Sequence, residues 1–226
     1  LRCRGEYALA GVEVYSGMAF FWAELTSLLL QSLGKPVVLT LHGGRLAQFA
    51  EGNPGRVRKL RRQAARVTTP SHFLLDHFRA FREDIRYVPN GIDLSGYFYR
   101  VRENAQPRLG WLRSLSHIYH PVDAVLVVAE LLRDFPDVHL SMFGPDKHDG
   151  SAEEVTRTIR EHHLEKHVTL VGAVPKTKVP EKLDQVDIFL NTTRYESFGV
   201  SVMEAGASGL CIVTSKVGEL PYLWQD

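Results

Sequence analysis

The sequence predicts an α/β protein built from two Rossmann-like domains. Three observations lead there. Strand-like and helix-like segments alternate along nearly the whole chain of 226 residues. The strand-like segments are short, apolar and rich in β-branched residues, the pattern of parallel sheets covered on both faces. The alternation comes in two runs, separated by a stretch at 94–107 with no clear period. The expected division is an N-terminal domain at 1–93, a linker at 94–107 and a C-terminal domain at 108–226.

In the first run, 12–15 reads as a strand and 18–33 as a helix, capped by Ser16 and ended by Gly34. A strand follows at 37–41. Asn53-Pro54 pairs an N-cap with a first-turn proline and opens a helix to about residue 65. A short strand at 67–69 precedes a helix capped by Ser71 and running to about residue 81, then a strand at 85–88 and a turn cluster at Pro89-Asn90-Gly91-Ile92-Asp93. In the second run, strands are expected near 109–112, 139–143, 168–171, 188–190 and 211–214. Helices are expected near 122–135, 153–163, 179–185 and 198–207. Two such sheets imply a cleft, and ligands of these sheets bind outside the carboxyl ends of the strands.

Composition excludes several classes. A net charge of +1 points to no charge-driven partner. Two cysteines, Cys3 and Cys211, make no disulfide framework and fit a reducing cytoplasm. No signal peptide is visible. The most apolar segment, 18–33, carries Glu24 and Gln31 and is shorter than the ~20 residues of a membrane span, so it reads as a core helix. The histidines are scattered; His117 and His120 can share a helix face, but no further ligands accompany them, and no metal is expected.

The most informative block is Asn191-Thr192-Thr193-Arg194-Tyr195-Glu196-Ser197-Phe198-Gly199, followed after four residues by Glu204. Apolar 188–190 makes a buried strand, and 198–207 a helix with Ser197 as N-cap. Glu196 then sits in a strand-to-helix loop and Glu204 about two turns into the helix, at ~3.6 residues per turn. Free N–H groups and the helix dipole at Phe198 and Gly199 suit a diphosphate, and Gly199 allows close approach. A carboxylate accepts through two oxygens, so it can hold two vicinal hydroxyls: Glu204 those of a ribose, Glu196 those of a hexose. Taken singly, Glu204 also fits an ordinary surface helix.

The block resembles the signature of the retaining GT-B glycosyltransferases of family four, the glycosyl transferases group 1, typified by sucrose synthase, glycogen synthase and bacterial mannosyltransferases. Other segments match in family order: Leu39-Thr40-Leu41-His42-Gly43-Gly44, Thr69-Pro70-Ser71, Pro89-Asn90-Gly91-Ile92-Asp93 and Val217-Gly218-Glu219-Leu220-Pro221. The resemblance implies that Glu196 touches the donor sugar and Glu204 the ribose. It also implies a strand-end arginine, here Arg113, that grips the diphosphate; the other reading is a surface arginine. His42 ends a strand at the expected cleft, where it either bonds the donor sugar and offsets transition-state charge or only terminates the strand. Gly43 and Gly44 allow backbone to approach a ligand, or make a flexible turn. No Walker lysine follows them.

The family usually places a lysine about five residues beyond the arginine. This chain has Leu115-Ser116-His117-Ile118-Tyr119-His120 there, so His117 or His120 substitutes, Lys147 reaches in, or the leaving group is less well stabilised. Arg56, Arg58, Lys59, Arg61, Arg62 and Arg66 form a basic run without an acidic residue. It reads as a solvated helix face, or as a contact with anionic lipid or a phosphorylated acceptor at the inner membrane face. No aromatic platform accompanies it, so no nucleic-acid partner is expected.

The expectation is thus a retaining, metal-independent glycosyltransferase that moves a hexose from a nucleoside-diphosphate sugar, with no cofactor beyond that substrate, to an acceptor the sequence does not identify. Catalysis would rest on His42 and Glu196, and donor binding on Arg113, Ser197, Phe198, Gly199, Glu204 and Gly43. Relative to the family the first domain looks incomplete and the second stops early, which leaves open a non-catalytic sugar-nucleotide-binding or scaffold protein. An unpaired edge of the first sheet would favour self-association or a complementary chain. An epimerase fits less well, since Gly-x-Gly-x-x-Gly is absent, though metal-free GT-B epimerases stay open.

Overall fold

The structure, a computed structural model, describes residues 5–224. The chain forms two compact units. Unit 1 holds Leu1–Gly91 with Tyr195–Phe198 and Val217–Asp226; unit 2 holds Ile92–Arg194 and Gly199–Lys216.

Unit 1 carries a four-stranded parallel sheet in the order β1 (Ala10–Val14), β2 (Val37–Leu41), β3 (Arg66–Thr69) and β4 (Arg86–Tyr87). In β2 the residues alternate between buried and half-buried, and Leu39 is packed without exposure. The helices α1 (Met18–Ser32), α2 (Leu46–Gly52), α3 (Pro54–Gln63) and α4 (His72–Arg79) contribute Phe20, Leu46, Leu60, Leu74 and Phe78 to the same core. Each such side chain contributes about 1.5–3 kcal/mol of hydrophobic stabilisation. Among the described residues β1 pairs with β2 alone, and the neighbouring α1 exposes Phe21, Trp22, Leu25 and Leu29. No described helix is long and apolar enough to cross a membrane.

The Ser71 hydroxyl caps α4, accepting from the Leu74 amide at 3.1 Å. Two other expected caps are corrected, and a third keeps its place without a capping bond. Gly17, at φ 69, and not Ser16, precedes α1. Asn53 stands at the N-cap of α3 with Pro54 in the first turn, as expected, but its side-chain amide donates back to the Phe49 carbonyl and makes no capping bond to α3. Gly199, at φ 83, and not Ser197, precedes the motif helix, which starts at Val200. In the first and last cases a glycine in the left-handed region breaks the spiral one residue before the helix.

Unit 2 is a five-stranded parallel sheet in the order β7 (Val168–Gly172), β6 (His139–Phe143), β5 (Arg108–Leu112), β8 (Ile188–Asn191) and β9 (Cys211–Thr214). Around it run α5 (Pro121–Leu131), α6 (Ser151–Glu161), α7 (Val179–Asp184) and α8 (Val200–Ala207); the short α9 (Leu220–Leu223) belongs to unit 1. The chain winds outward from β5 to β7, then returns to the other side of β5 at β8. The crevice at the carboxyl ends of β5 and β8 is therefore the topological switch point, where such sheets bind ligands. The irregular segment 94–107 is fastened to unit 2: Arg102 is buried and donates to the carbonyls of Ser208 and Val186, while Asp187 gathers Arg100, Arg102 and Arg108.

His117 and His120 do not share a helix face. His117–Tyr119 is a single 3-10 turn, and His120 leaves it at φ 48, where Pro121 opens α5. Cys211 is exposed with a free thiol; Cys3 lies outside the described residues.

Candidate functional site

At the switch point of unit 2 the loop leaving β5 begins with Arg113. Its amide donates to the Phe143 carbonyl at 3.0 Å. Gly144, at φ 146, passes so close that a Cβ there would stand 1.8 Å from the Arg113 carbonyl oxygen. The half-buried guanidinium lies over the Tyr119 ring, 5.0 Å from its centroid. Burial draws Arg113 below the usual arginine range, opposed by the charges of Tyr119 and Glu204. The Thr192 hydroxyl, just past β8, accepts from the Trp111 indole at 3.1 Å and reaches the Tyr119 and His120 carbonyls at 2.9 and 2.8 Å. This ties the two loops of the crevice together.

Glu204 is 2 % exposed. Its Oε1 accepts the Tyr97 hydroxyl at 2.7 Å and pairs with the Lys176 ammonium. Burial, and then the hydrogen bond to Glu204, hold the Tyr97 hydroxyl well above its ordinary pKa. The amides at the start of α8 have no partner within the helix. Among the described residues the buried Ser201 hydroxyl on its first turn has no partner either.

The His117 ring meets the Asp149 carbonyl at 2.8 Å, and the His120 ring lies 3.4 Å from Asp123. Lys147 is exposed. The cation that pairs with Glu204 is Lys176, beyond the carboxyl end of β7, a residue the sequence reading passed over. Its position after a strand was the available signal.

Unit 1 holds the remaining residues. The His42 ring pairs with Glu13 and stacks on Tyr15 at 5.4 Å between centroids. Gly43, at φ 86, has Tyr15 beside it, and a Cβ on Gly44 would lie 2.6 Å from the Glu196 nitrogen. A Cβ on Gly218 would lie 1.8 Å from the Glu196 carbonyl oxygen. Two glycines thus hold the Glu196 backbone between them. The buried Glu196 carboxylate accepts the amides of Ser197 at 3.0 Å and Phe198 at 3.2 Å. The expected open anion site at Phe198 is therefore corrected: Glu196 takes that amide, and the unclaimed amides begin at Gly199.

Glu219, which the sequence places in the Val217–Pro221 match without a role, is fully buried. It accepts from the Ser71 hydroxyl and the Phe73 amide, both at 2.8 Å, and lies 3.1 Å from the His72 ring. The basic run is not one cationic face. Arg56 pairs with Glu24 of α1, and Arg61 is buried; Arg58, Lys59 and Arg62 are exposed. Among the described residues no cluster of histidine, cysteine and carboxylates could hold a metal ion.

Residues 103–226 match the family described as Glycosyl transferases group 1, and residues 14–96 that described as Glycosyltransferase Family 4. The D-inositol 3-phosphate glycosyltransferase of Segniliparus rotundus is 26 % identical over 223 residues, covering 88 % of this chain and 50 % of that protein. A phosphatidylinositol N-acetylglucosaminyltransferase subunit from Arabidopsis thaliana is 34 % identical over 103 residues, 45 % of this chain and 22 % of that one. The chain thus spans half or less of these relatives. The crystal structure of Anabaena HepE with UDP and glucose superposes with a TM-score of 0.79 at 20 % identity, over 98 % of this chain and 62 % of that one. The two Rossmann-like units are those of the GT-B fold. With more than half of its length matched, the chain belongs to the glycosyl transferases group 1 family.

Proposed function

We propose that the chain acts in a retaining glycosyltransferase that moves a hexose from a nucleoside-diphosphate sugar to an acceptor hydroxyl without a metal. The observation that carries this reading is the set of groups at the switch point of unit 2. A buried carboxylate, Glu204, lies close enough to Arg113 to act on its charge, next to a helix start with an unpartnered hydroxyl. Glu204 holds the ribose. Arg113, the amides from Gly199 onward and Ser201 take the diphosphate and stabilise the charge that gathers on it as the glycosidic bond breaks. Lys176 supplies the second cation. Glu196 and His42 serve the hexose.

In this reading residues 108–226 handle the donor nucleotide and residues 1–93 the acceptor side. The names of the two relatives make inositol phosphate and phosphatidylinositol the first acceptors to try. The setting is the cytoplasmic face of an anionic membrane, with Arg58, Lys59 and Arg62 as the contact. The edge of β1 is where a second copy or a complementary chain would pair.

Calorimetric titration with UDP, GDP and ADP tests the first step. Selective micromolar binding to one supports the reading, and absence of binding to all three sinks it. The configuration of the new glycosidic bond, read by proton NMR on a transfer product, tests retention. Nucleotide binding without transfer to any supplied acceptor favours the non-catalytic alternative.

A further inference from the structure

Away from the motif block, four arginines of unit 1 converge. Arg58, Arg61 and Arg62 come from the last two turns of α3, and Arg82 from the segment between α4 and β4. Together with Ala64, Ala80 and Phe81 they line a cavity of about 440 Å³. It lies where the strands begin: Arg82 donates to the carbonyls of Arg61 at 2.7 Å and Ala64 at 3.1 Å, just before β3. His42 and Gly43 follow the carboxyl end of β2, at the opposite end of the same sheet.

Arg61 is only 3 % exposed, yet its Nε and Nη1 have no hydrogen-bond partner among the described residues. Buried guanidinium groups are normally paired, since burial without a partner leaves desolvation uncompensated. Here Arg61 has the face of Phe81, 5.5 Å away, and Arg58 lies over the same ring at 5.8 Å. Among the described residues the carboxylate that acts on Arg61 is Asp84, and Arg82 engages both of its oxygens. Four arginines therefore face one carboxylate that is already taken. Burial, followed by repulsion from Arg82, pulls Arg61 down to about 10, as expected of a cluster short of negative charge.

We propose that this cavity is a binding site for a phosphate ester, separate from the donor site, with Arg61 and Arg62 as its main ligands and Arg58 and Arg82 at its walls. Guanidinium forks match the oxygens of a phosphate in bidentate fashion. A cavity of roughly 150 Å³ holds a benzene ring, so this one has room for the group the phosphate esterifies. The ester is either a phosphorylated small molecule or a lipid headgroup.

The test uses the full chain in two arms. In the first, inorganic phosphate is titrated against chloride at constant ionic strength, and the melting temperature is followed. We expect saturable stabilisation by phosphate that weakens at least tenfold in Arg62→Glu and vanishes in Arg61→Met. If Arg61→Met does not fold, Arg62→Glu alone decides. No saturable effect, or one that Arg62→Glu leaves unchanged, overturns the proposal. In the second arm, the chain is sedimented with phosphatidylcholine vesicles, with and without phosphatidylinositol. Sedimentation that requires the anionic lipid and is competed by phosphate assigns the headgroup; phosphate binding without sedimentation assigns a soluble phosphate ester. UDP binding, titrated in the same variants, is expected to be unchanged, so this proposal and the donor reading can fail independently.

Discussion

The Glu219 carboxylate accepts the Ser71 hydroxyl at 2.8 Å across 148 residues of sequence. The same hydroxyl caps α4 at the Leu74 amide, and the same carboxylate takes the Phe73 amide. One buried charge therefore completes the start of a helix in the first third of the chain from a segment near its end. The His72 ring beside it stacks with both Tyr87 and Tyr222, at 3.9 and 5.9 Å between centroids.

Glu219→Ala is expected to leave the Ser71 hydroxyl and the Phe73 amide buried or half-buried without their acceptor, at a cost of about 3 kcal/mol. Ser71→Ala removes the cap and one bond to Glu219, costing about 1–2 kcal/mol. Because the two groups share a bond, urea denaturation of the double variant should show less than the sum of the single losses, by about 0.5–1 kcal/mol. Additive losses would mean that the contact contributes nothing.

Two glycines carry a second prediction. A Cβ at Gly218 or at Gly144 would stand 1.8 Å from a backbone oxygen, that of Glu196 in the first case and of Arg113 in the second. Both glycines also have positive φ, at 55° and 146°. Alanine at either position must move the loop that carries a proposed donor ligand. We expect each variant to lose about 2 kcal/mol or more of stability and to lose nucleotide affinity, read by calorimetry. Gly52→Ala, where nothing lies within 4 Å, is the control.

These contacts also show where sequence reading stops. Most strands were visible because they are short runs rich in apolar and β-branched residues between turn residues, and the central ones, β2 and β8, are buried along most of their length. Glu196 and Glu204 were visible because their spacing is local. The caps at Ser16 and Ser197 were misplaced, although α1 starts at Met18 as expected, because a serine looks like a cap while the left-handed φ of Gly17 and Gly199 cannot be seen in the sequence. Tyr97, Lys176 and Glu219 had no role legible in the sequence because their partners lie 107, 28 and 148 residues away. Arg61 looked like one charge in a surface run, and only the packing of α3 against Phe81 shows it to be buried.

Arg113 and Tyr97 separate two parts of the proposed donor. Arg113→Ala removes the guanidinium meant for the diphosphate. A charge-assisted hydrogen bond contributes about 1.5–3 kcal/mol, so UDP affinity should fall about 10- to 150-fold, while uridine affinity should change little. Tyr97→Phe removes a donor from the buried Glu204 carboxylate. It should weaken uridine and UDP alike and lower the melting temperature. An equal loss of both ligands in Arg113→Ala would place Arg113 in a structural role.

Acid stability gives a prediction for the loop before α6. Asp149 accepts the Ser116 hydroxyl at 2.7 Å, the His117 amide at 3.1 Å and the Ser151 amide at 3.2 Å. The hydrogen bonds from Ser151 and Ser116 hold its carboxyl well below the ordinary 3.8. A carboxylate with a depressed folded pKa stabilises the fold above its unfolded pKa, and that stabilisation is lost as pH falls through the folded one. The loss should therefore begin near pH 4 and grow toward pH 2. Asp149 is exposed, so solvent screens the effect and keeps it small. Asp149→Asn should melt at a lower temperature than the parent chain at pH 7, and the gap should narrow between about pH 4 and pH 2. A gap that stays constant over that range would mean that the charge of Asp149 does not hold the loop.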